Sequence, residues 1–197
     1  MVLVQASARP GGLGRHLGSV LRKALVAAGA EVRDHDLVPD GFDPVLRLEE
    51  GQPHAVAVTA EEDPVCARYQ ADVRWASDLV VVHPVWWFAP PAVLKGWIDR
   101  VLVEGVALEQ QPSGPPRGLL QGRRLLVVQT FQTHRALARL AFGGVAGSFW
   151  RRVVGLPTGI EQVTVLPLFG VLELGAGRLA RYERRLVRAA RALAAGR

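Results

Sequence analysis

A single cysteine, Cys66, stands in 197 residues, which excludes an intramolecular disulfide and a thiolate metal cluster and fits a reducing compartment. Cys66 falls on a helical stretch and reads as a buried structural thiol. No apolar run approaches the roughly 20 residues that span a bilayer. The opening Met1–Val4 enters a strand at once, without the basic region and long apolar run of a signal peptide. No repeat, low-complexity tract or linker occurs, so one domain over 1–197 is expected. A cytoplasmic protein with no integral membrane segment follows. Catalytic signatures are scarce as well. There is no Gly-x-Ser-x-Gly elbow for hydrolysis, and no lysine followed by Ser or Thr as in a Walker loop. His16, His35 and His54 are scattered without ligand spacing, so no metal is expected.

What is present is the composition of a folded globular protein, 49% hydrophobic and 21% charged. The net charge of +6 and the pI of 10.6 raise the question of nucleic acid. The basic excess, however, is concentrated in Arg178, Arg181, Arg184, Arg185, Arg188, Arg191 and Arg197. The first six fall on one side of a helix, opposite Leu179, Tyr182, Leu186, Ala190 and Leu193. That pattern describes an amphipathic helix with a solvated basic face, and no nucleic-acid partner is expected.

Taken in order, Val2–Gln5 reads as a first strand, followed by the glycine-rich loop 6–14. Leu17, Val20, Leu21, Ala24, Leu25 and Ala28 recur at helical spacing, with Gly29 as a stop. Glu31–Leu37 alternates as a second strand, and 38–64 is a long polar connection. Helix 63–76 has Asp63 as N-cap and Pro64 in its first turn. Leu79–Val82 is a third, doubly buried strand, followed by helix 92–103. Loop 104–122, rich in Gly, Pro and Gln, suits a lid or a partner surface. Leu125–Val128 is a fourth strand. A mostly helical stretch over 136–153 is interrupted at Gly143, Gly144 and Gly147, and Gln162–Phe169 is a fifth strand before the Arg-rich helix. Five strands alternating with helices imply an α/β fold of flavodoxin type. It is a three-layer arrangement with a five-stranded parallel sheet of order 2-1-3-4-5.

In such sheets ligands sit at the carboxyl ends of the strands where the winding reverses. Loops 6–14, 83–91 and 129–134 all follow strands that end there. The first has glycines for close backbone approach and a helix N-terminus behind them, with Ser7 and Arg9 as further donors, which is what a phosphate needs. The same turn also serves simply to join a strand to a helix. The second carries Trp86, Trp87 and Phe88, flat faces for a conjugated ring or a hydrophobic dimer patch, and backbone amides at 85–88. In the third, Thr130, Gln132 and Thr133 flank Phe131 and offer hydrogen bonds to a ring's polar edge. His83 and His134 are the histidines at this edge that could give a proton to a substrate oxygen.

The run Pro84–Val101, PVWWFAPPAVLKGWIDRV, resembles the signature of the flavodoxin-like NAD(P)H dehydrogenase (quinone) family. Ala6–Leu17, the HDL and FDP segments within 31–44, and the stretch 130–169 are also similar to it. The resemblance implies a homodimeric flavoprotein binding FAD or FMN, with NAD(P)H as reductant. Hydride would pass to the flavin, and a quinone-like small-molecule acceptor would then take two electrons in the same pocket. It implies that Pro84, Val85, Trp86, Trp87 and Phe88 contact the flavin ring. Segments 104–122 and 134–150, which carry no interpretable motif, are expected to shape the acceptor pocket.

Where that family has Ser or Thr, an aromatic and Asn, this chain has Gly12, Leu13 and Gly14. Backbone N–H groups, Ser7, Arg9 and Arg15 are left to hold a phosphate, and each lost bond costs about 1 kcal/mol. The family's Thr-Thr-Gly-Gly turn and its Tyr–His pair have no counterpart, so no catalytic residue is assigned. The alternative expectation is a regulatory or scaffold protein with weakened flavin binding.

Overall fold

Strand β1 (Val2–Gln5) divides its side chains between two cores, Val2 and Val4 entering one and Leu3 the other. The same alternation runs through β3 (Asp78–Pro84), where Leu79 and Val81 oppose Val80 and Val82. It recurs in β6 (Arg124–Thr130), where Leu125 and Val127 oppose Leu126 and Val128. Strands apolar on both faces need helices on each side. Helices α1 (Leu13–Ala27) and α7 (Ala176–Ala195) cover one face, and α2 (Pro64–Trp75) and α3 (Ala92–Val101) cover the other. With β2 (Arg33–Asp36) and β7 (Gln162–Leu168) the parallel sheet runs β2-β1-β3-β6-β7, the order expected for the five main strands. The computed structural model describes residues 1–48 and 55–196, without the side chains of 141 and 142. His54 and part of the 38–64 connection therefore lie outside the described residues, as does Arg197.

Local chemistry explains most of the element ends. Asp63 caps α2 by accepting from Cys66 N at 2.9 Å, with Pro64 in the first turn. Cys66 is fully buried and gives its thiol to Arg100 O at 3.4 Å; burial pushes its pKa up to about 11, so it is no nucleophile. On α3, Gly96 lies directly under Pro44, where an added Cβ would overlap Pro44 backbone. Arg100 fixes the same crossing by donating to Asp43 O at 2.6 Å and to Asp63 at 2.7 Å.

Several expectations need correction. The second strand is shorter than 31–37, spanning Arg33–Asp36. Loop 104–122 holds a small hairpin, β4 (Leu108–Glu109) against β5 (Arg117–Gly118). It connects the end of α3 to the start of β6, and Leu120 N bonds Thr158 O at 2.9 Å. That places it at the amino edge of the sheet, so it cannot cover a site at the carboxyl edge of the same chain. The helical stretch after β6 comprises α4 (Arg135–Phe142), α5 (Val145–Ser148), a π-helical turn (Phe149–Gly155) and α6 (Leu156–Thr158). Gly143 and Gly144 break it with φ of 54° and 75°, whereas Gly147 lies inside α5 and breaks nothing. In α7, Arg178 turns inward and donates to the carbonyls of Phe169 and Gly170, while Arg181, Arg184, Arg185, Arg188 and Arg191 are exposed.

Candidate functional site

Three hydrogen bonds set the carboxyl-edge loops side by side. Ala6 N donates to Val82 O at 3.1 Å, Val85 N to Thr130 O at 2.8 Å, and Phe131 N to Leu168 O at 2.8 Å. The loops after β1, β3 and β6 thus leave adjacent strands at one edge, as the topology requires.

The first loop ends in an N-cap, Gly12, with no side-chain cap bond and no acidic residue in the first turn of α1. The N–H groups of Leu13, Gly14 and Arg15 have no partner within the helix, so the positive end of its dipole faces the loop. Ser7 is 6% exposed, and its Oγ occupies the space where a Cβ at Gly14 would stand. Among the described residues its hydroxyl has no hydrogen-bond partner. Arg9 is exposed beside it. Arg15 is committed elsewhere: it forks onto Asp36 at 2.6 and 3.0 Å.

The second loop is a tight turn in which Trp86 N bonds Ala89 O and Ala89 N bonds Trp86 O, at 3.1 and 2.9 Å. Its central residues, Trp87 and Phe88, both have left-handed φ, 51° and 58°. Bulky residues take that conformation at a cost of roughly 1–2 kcal/mol each. The turn spends this strain to hold Trp87 at 99% exposure. Of the expected free amides at 85–88, those of Val85 and Trp86 are already bonded within the chain, which removes them as ligand donors.

The second and third loops together form a cleft of about 270 Å³ lined by Val85, Trp86, Trp87, Phe88, Phe131, Gln132 and Thr133. Loop 6–14 lies next to it through the β1–β3 pairing but does not line it. Thr130 is 8% exposed and supports the cleft from beneath through its carbonyl, and Pro84 is half-buried at the strand end.

Neither histidine lines the cleft. His134 is exposed at the start of α4, 3.9 Å from Glu173. His83 is fully buried; burial pushes its pKa down to about 4. It bonds Pro84 O, Trp150 and Gln129 at 2.7, 3.1 and 3.3 Å. Of this His83–Gln129–Trp150 cluster only His83 is expected at the site from sequence; Gln129 and Trp150 are not among the expected site residues. Its signal in the sequence is a polar residue at the same place in two apolar strands, and the register pairs His83 with Gln129.

Among the described residues no helix is long and apolar enough to cross a membrane, and no group of three His, Cys, Asp or Glu side chains is placed to hold a metal.

Residues 1–186 match the sequence profile of a family described as having a flavodoxin-like fold. The chain is 31% identical over 105 residues to an uncharacterised NAD(P)H oxidoreductase of Escherichia coli (strain K12), covering 53% of each. It is 35% identical over 94 residues to an FMN-dependent NADH:quinone oxidoreductase of Jannaschia sp. (strain CCS1), covering 48% of this chain and 47% of the relative. The matched region thus spans about half the length of these relatives. The crystal structure of Smu.1420 from Streptococcus mutans UA159 superposes with a TM-score of 0.80 at 24% identity, covering 97% of this chain and 98% of that one.

Proposed function

From the premise that the chain belongs to the flavodoxin-like fold family, we propose that it is a flavin-dependent NAD(P)H oxidoreductase reducing quinones or related electrophiles by two electrons. The relatives named NAD(P)H oxidoreductase and FMN-dependent NADH:quinone oxidoreductase support this reading. The observation that carries it is the strained turn at Trp87 and Phe88, set beside an uncapped helix N-terminus at the same sheet edge.

The residues fit a flavin. Gly12 and Gly14 leave a cradle that a Cβ at either position would crowd, against Arg9 or Ser7 respectively. The amides of 13–15, the Ser7 hydroxyl and Arg9 would hold the phosphate, FMN needing only this one phosphate subsite. Trp86, Trp87, Phe88 and Phe131 would face the ring, and Gln132 and Thr133 its polar edge. When bound, the flavin supplies hydride acceptance from NAD(P)H and two-electron delivery to the acceptor. The chain's part is to orient the ring and to shield one side of it from water. NAD(P)H and acceptor take turns over the same open face, a ping-pong order. We read the chain as one domain that acts as a cytoplasmic homodimer, α3 contributing to the interface.

The test is an absorption spectrum of the purified protein, with FMN and FAD titrations and NAD(P)H oxidation by menadione. A colourless protein that binds neither flavin and leaves NAD(P)H unoxidised would sink the proposal. The second reading, a regulatory or scaffold protein with weakened flavin affinity, is favoured by the absence of any side-chain cap at Gly12. Flavin binding without turnover would support it.

A further inference from the structure

Beside the aromatic turn lies a second cavity of about 170 Å³, separate from the cleft but sharing Phe88 and Phe131 with it. Much of its wall is aromatic: Phe131 stacks on Phe169 with ring centroids 4.5 Å apart. Two features distinguish it from a packing void.

The first is Gln129, which lines the cavity and is 1% exposed. Its Nε2 donates to Ala146 O at 3.1 Å and points to His83 Nε2 at 3.3 Å. Both neighbours are acceptors, so the amide orientation is fixed. That leaves Oε1, an acceptor, with no hydrogen-bond partner among the described residues. The second is a pair of guanidiniums. Arg139 and Arg151 line the same cavity and are otherwise exposed, and among the described residues neither is paired with a carboxylate. Arg151 folds back over α5, with Nη1 3.6 Å from where a Gly147 Cβ would be. Among the described residues no Asp or Glu lines the cavity.

We propose that this cavity binds a small aromatic carboxylate bearing a ring hydroxyl or amino group. The ring packs against Phe131, the carboxylate meets Arg139 and Arg151 at the rim, and the ring's O–H or N–H donates to Gln129 Oε1. Charge complementarity at the rim and an orphaned acceptor inside select an anion that is also a donor, which neither an apolar ligand nor a simple anion satisfies. The volume is below the 300 Å³ or so at which drug-sized pockets begin, which suits one ring. As to its role, the inference rests on the reading that the neighbouring cleft holds a flavin ring. The shared Phe88 and Phe131 then set the aromatic anion beside the redox centre, and anionic acceptors are preferred to neutral ones.

Calorimetric titration with 4-hydroxybenzoate and with its methyl ester tests the site directly. The acid is expected to bind about tenfold more tightly than the ester. Arg139→Gln and Arg151→Gln should each remove most of that difference, and Arg135→Gln, on the same helix but away from the cavity, should leave it intact. Equal binding of acid and ester by the unmodified protein, no binding of either, or indifference to both substitutions overturns the proposal. FMN titration of the same proteins separates the two readings. FMN binding without selective binding of the acid sinks the anion site alone. Arginine-dependent binding of the acid without FMN binding supports the site and sinks the cofactor reading.

Discussion

Trp150 gives its indole N–H to Nε2 of His83 across 3.1 Å. An indole nitrogen only donates, so Nε2 accepts and the imidazole is neutral, with its proton on Nδ1 directed at Pro84 O. A second buried histidine beside the same core repeats the device. Trp97 donates to Nδ1 of His35 at 3.2 Å, and the Nε2 proton of His35 faces Asp72 at 3.2 Å. Burial pushes both imidazoles down to about 4, against the pull of Asp72 on His35.

Acid should therefore unfold this protein early. In the unfolded chain both histidines take a proton below about pH 6.5, whereas in the fold they resist until about pH 4. Their contribution is fully present above pH 6.5 and is lost as pH falls through that window, at about 2 kcal/mol each by pH 5. Urea midpoints at pH 7.5 and pH 5 measure the drop. His83→Gln should remove about half of the drop, His35 keeping the rest, and an unchanged midpoint in the unmodified protein contradicts the account.

Gly14→Ala forces its methyl into the space of Ser7 Oγ, turning the hydroxyl out of the phosphate cradle. FMN affinity should fall about tenfold, the value of one bond to a charged group. Ser7→Ala should cost the same, and the double variant no more than either. Additive losses in the FMN titration would mean that the two residues act apart.

Gly96→Ala has no such soft neighbour, because its methyl meets the backbone of Pro44. The expected loss is at least about 2 kcal/mol in urea denaturation. A loss under half of that would show that segment 42–44 can lift off α3.

Trp87→Gly relieves one left-handed residue and should raise stability by about 1 kcal/mol. Flavin affinity should fall about tenfold as a stacking face is lost. A variant both more stable and equally good at binding FMN would leave the strain at Trp87 without a purpose.

The strand order was legible because Val2–Gln5, Leu79–Val82 and Leu125–Val128 are runs with apolar residues for both faces, and such runs belong only in the middle of a layered sheet. The carboxyl-edge loops followed from that order. Arg15, expected at a phosphate, instead pairs from α1 with Asp36 at the end of β2; nothing local in the sequence announces a partner 21 residues further on. Of the two readings of loop 104–122, a lid or a partner surface, its place between α3 and β6 removes the lid, because composition shows that a segment is a loop and not which edge it occupies. His83 read as an edge residue, although strand β3 extends through Pro84 and carries it inside.

The two sheet faces differ in how far apart in the chain their covering elements lie. One is covered by α2, α3 and the π-helical turn, all within 64–158; the other is sealed by α1 against α7, the first and last helices described. Closing so long a loop costs entropy before any contact is made, which slows the step that depends on it. Refolding should then be biphasic in character: Trp97 and Trp150 become shielded first, and Tyr182, on α7, only in the slow final docking.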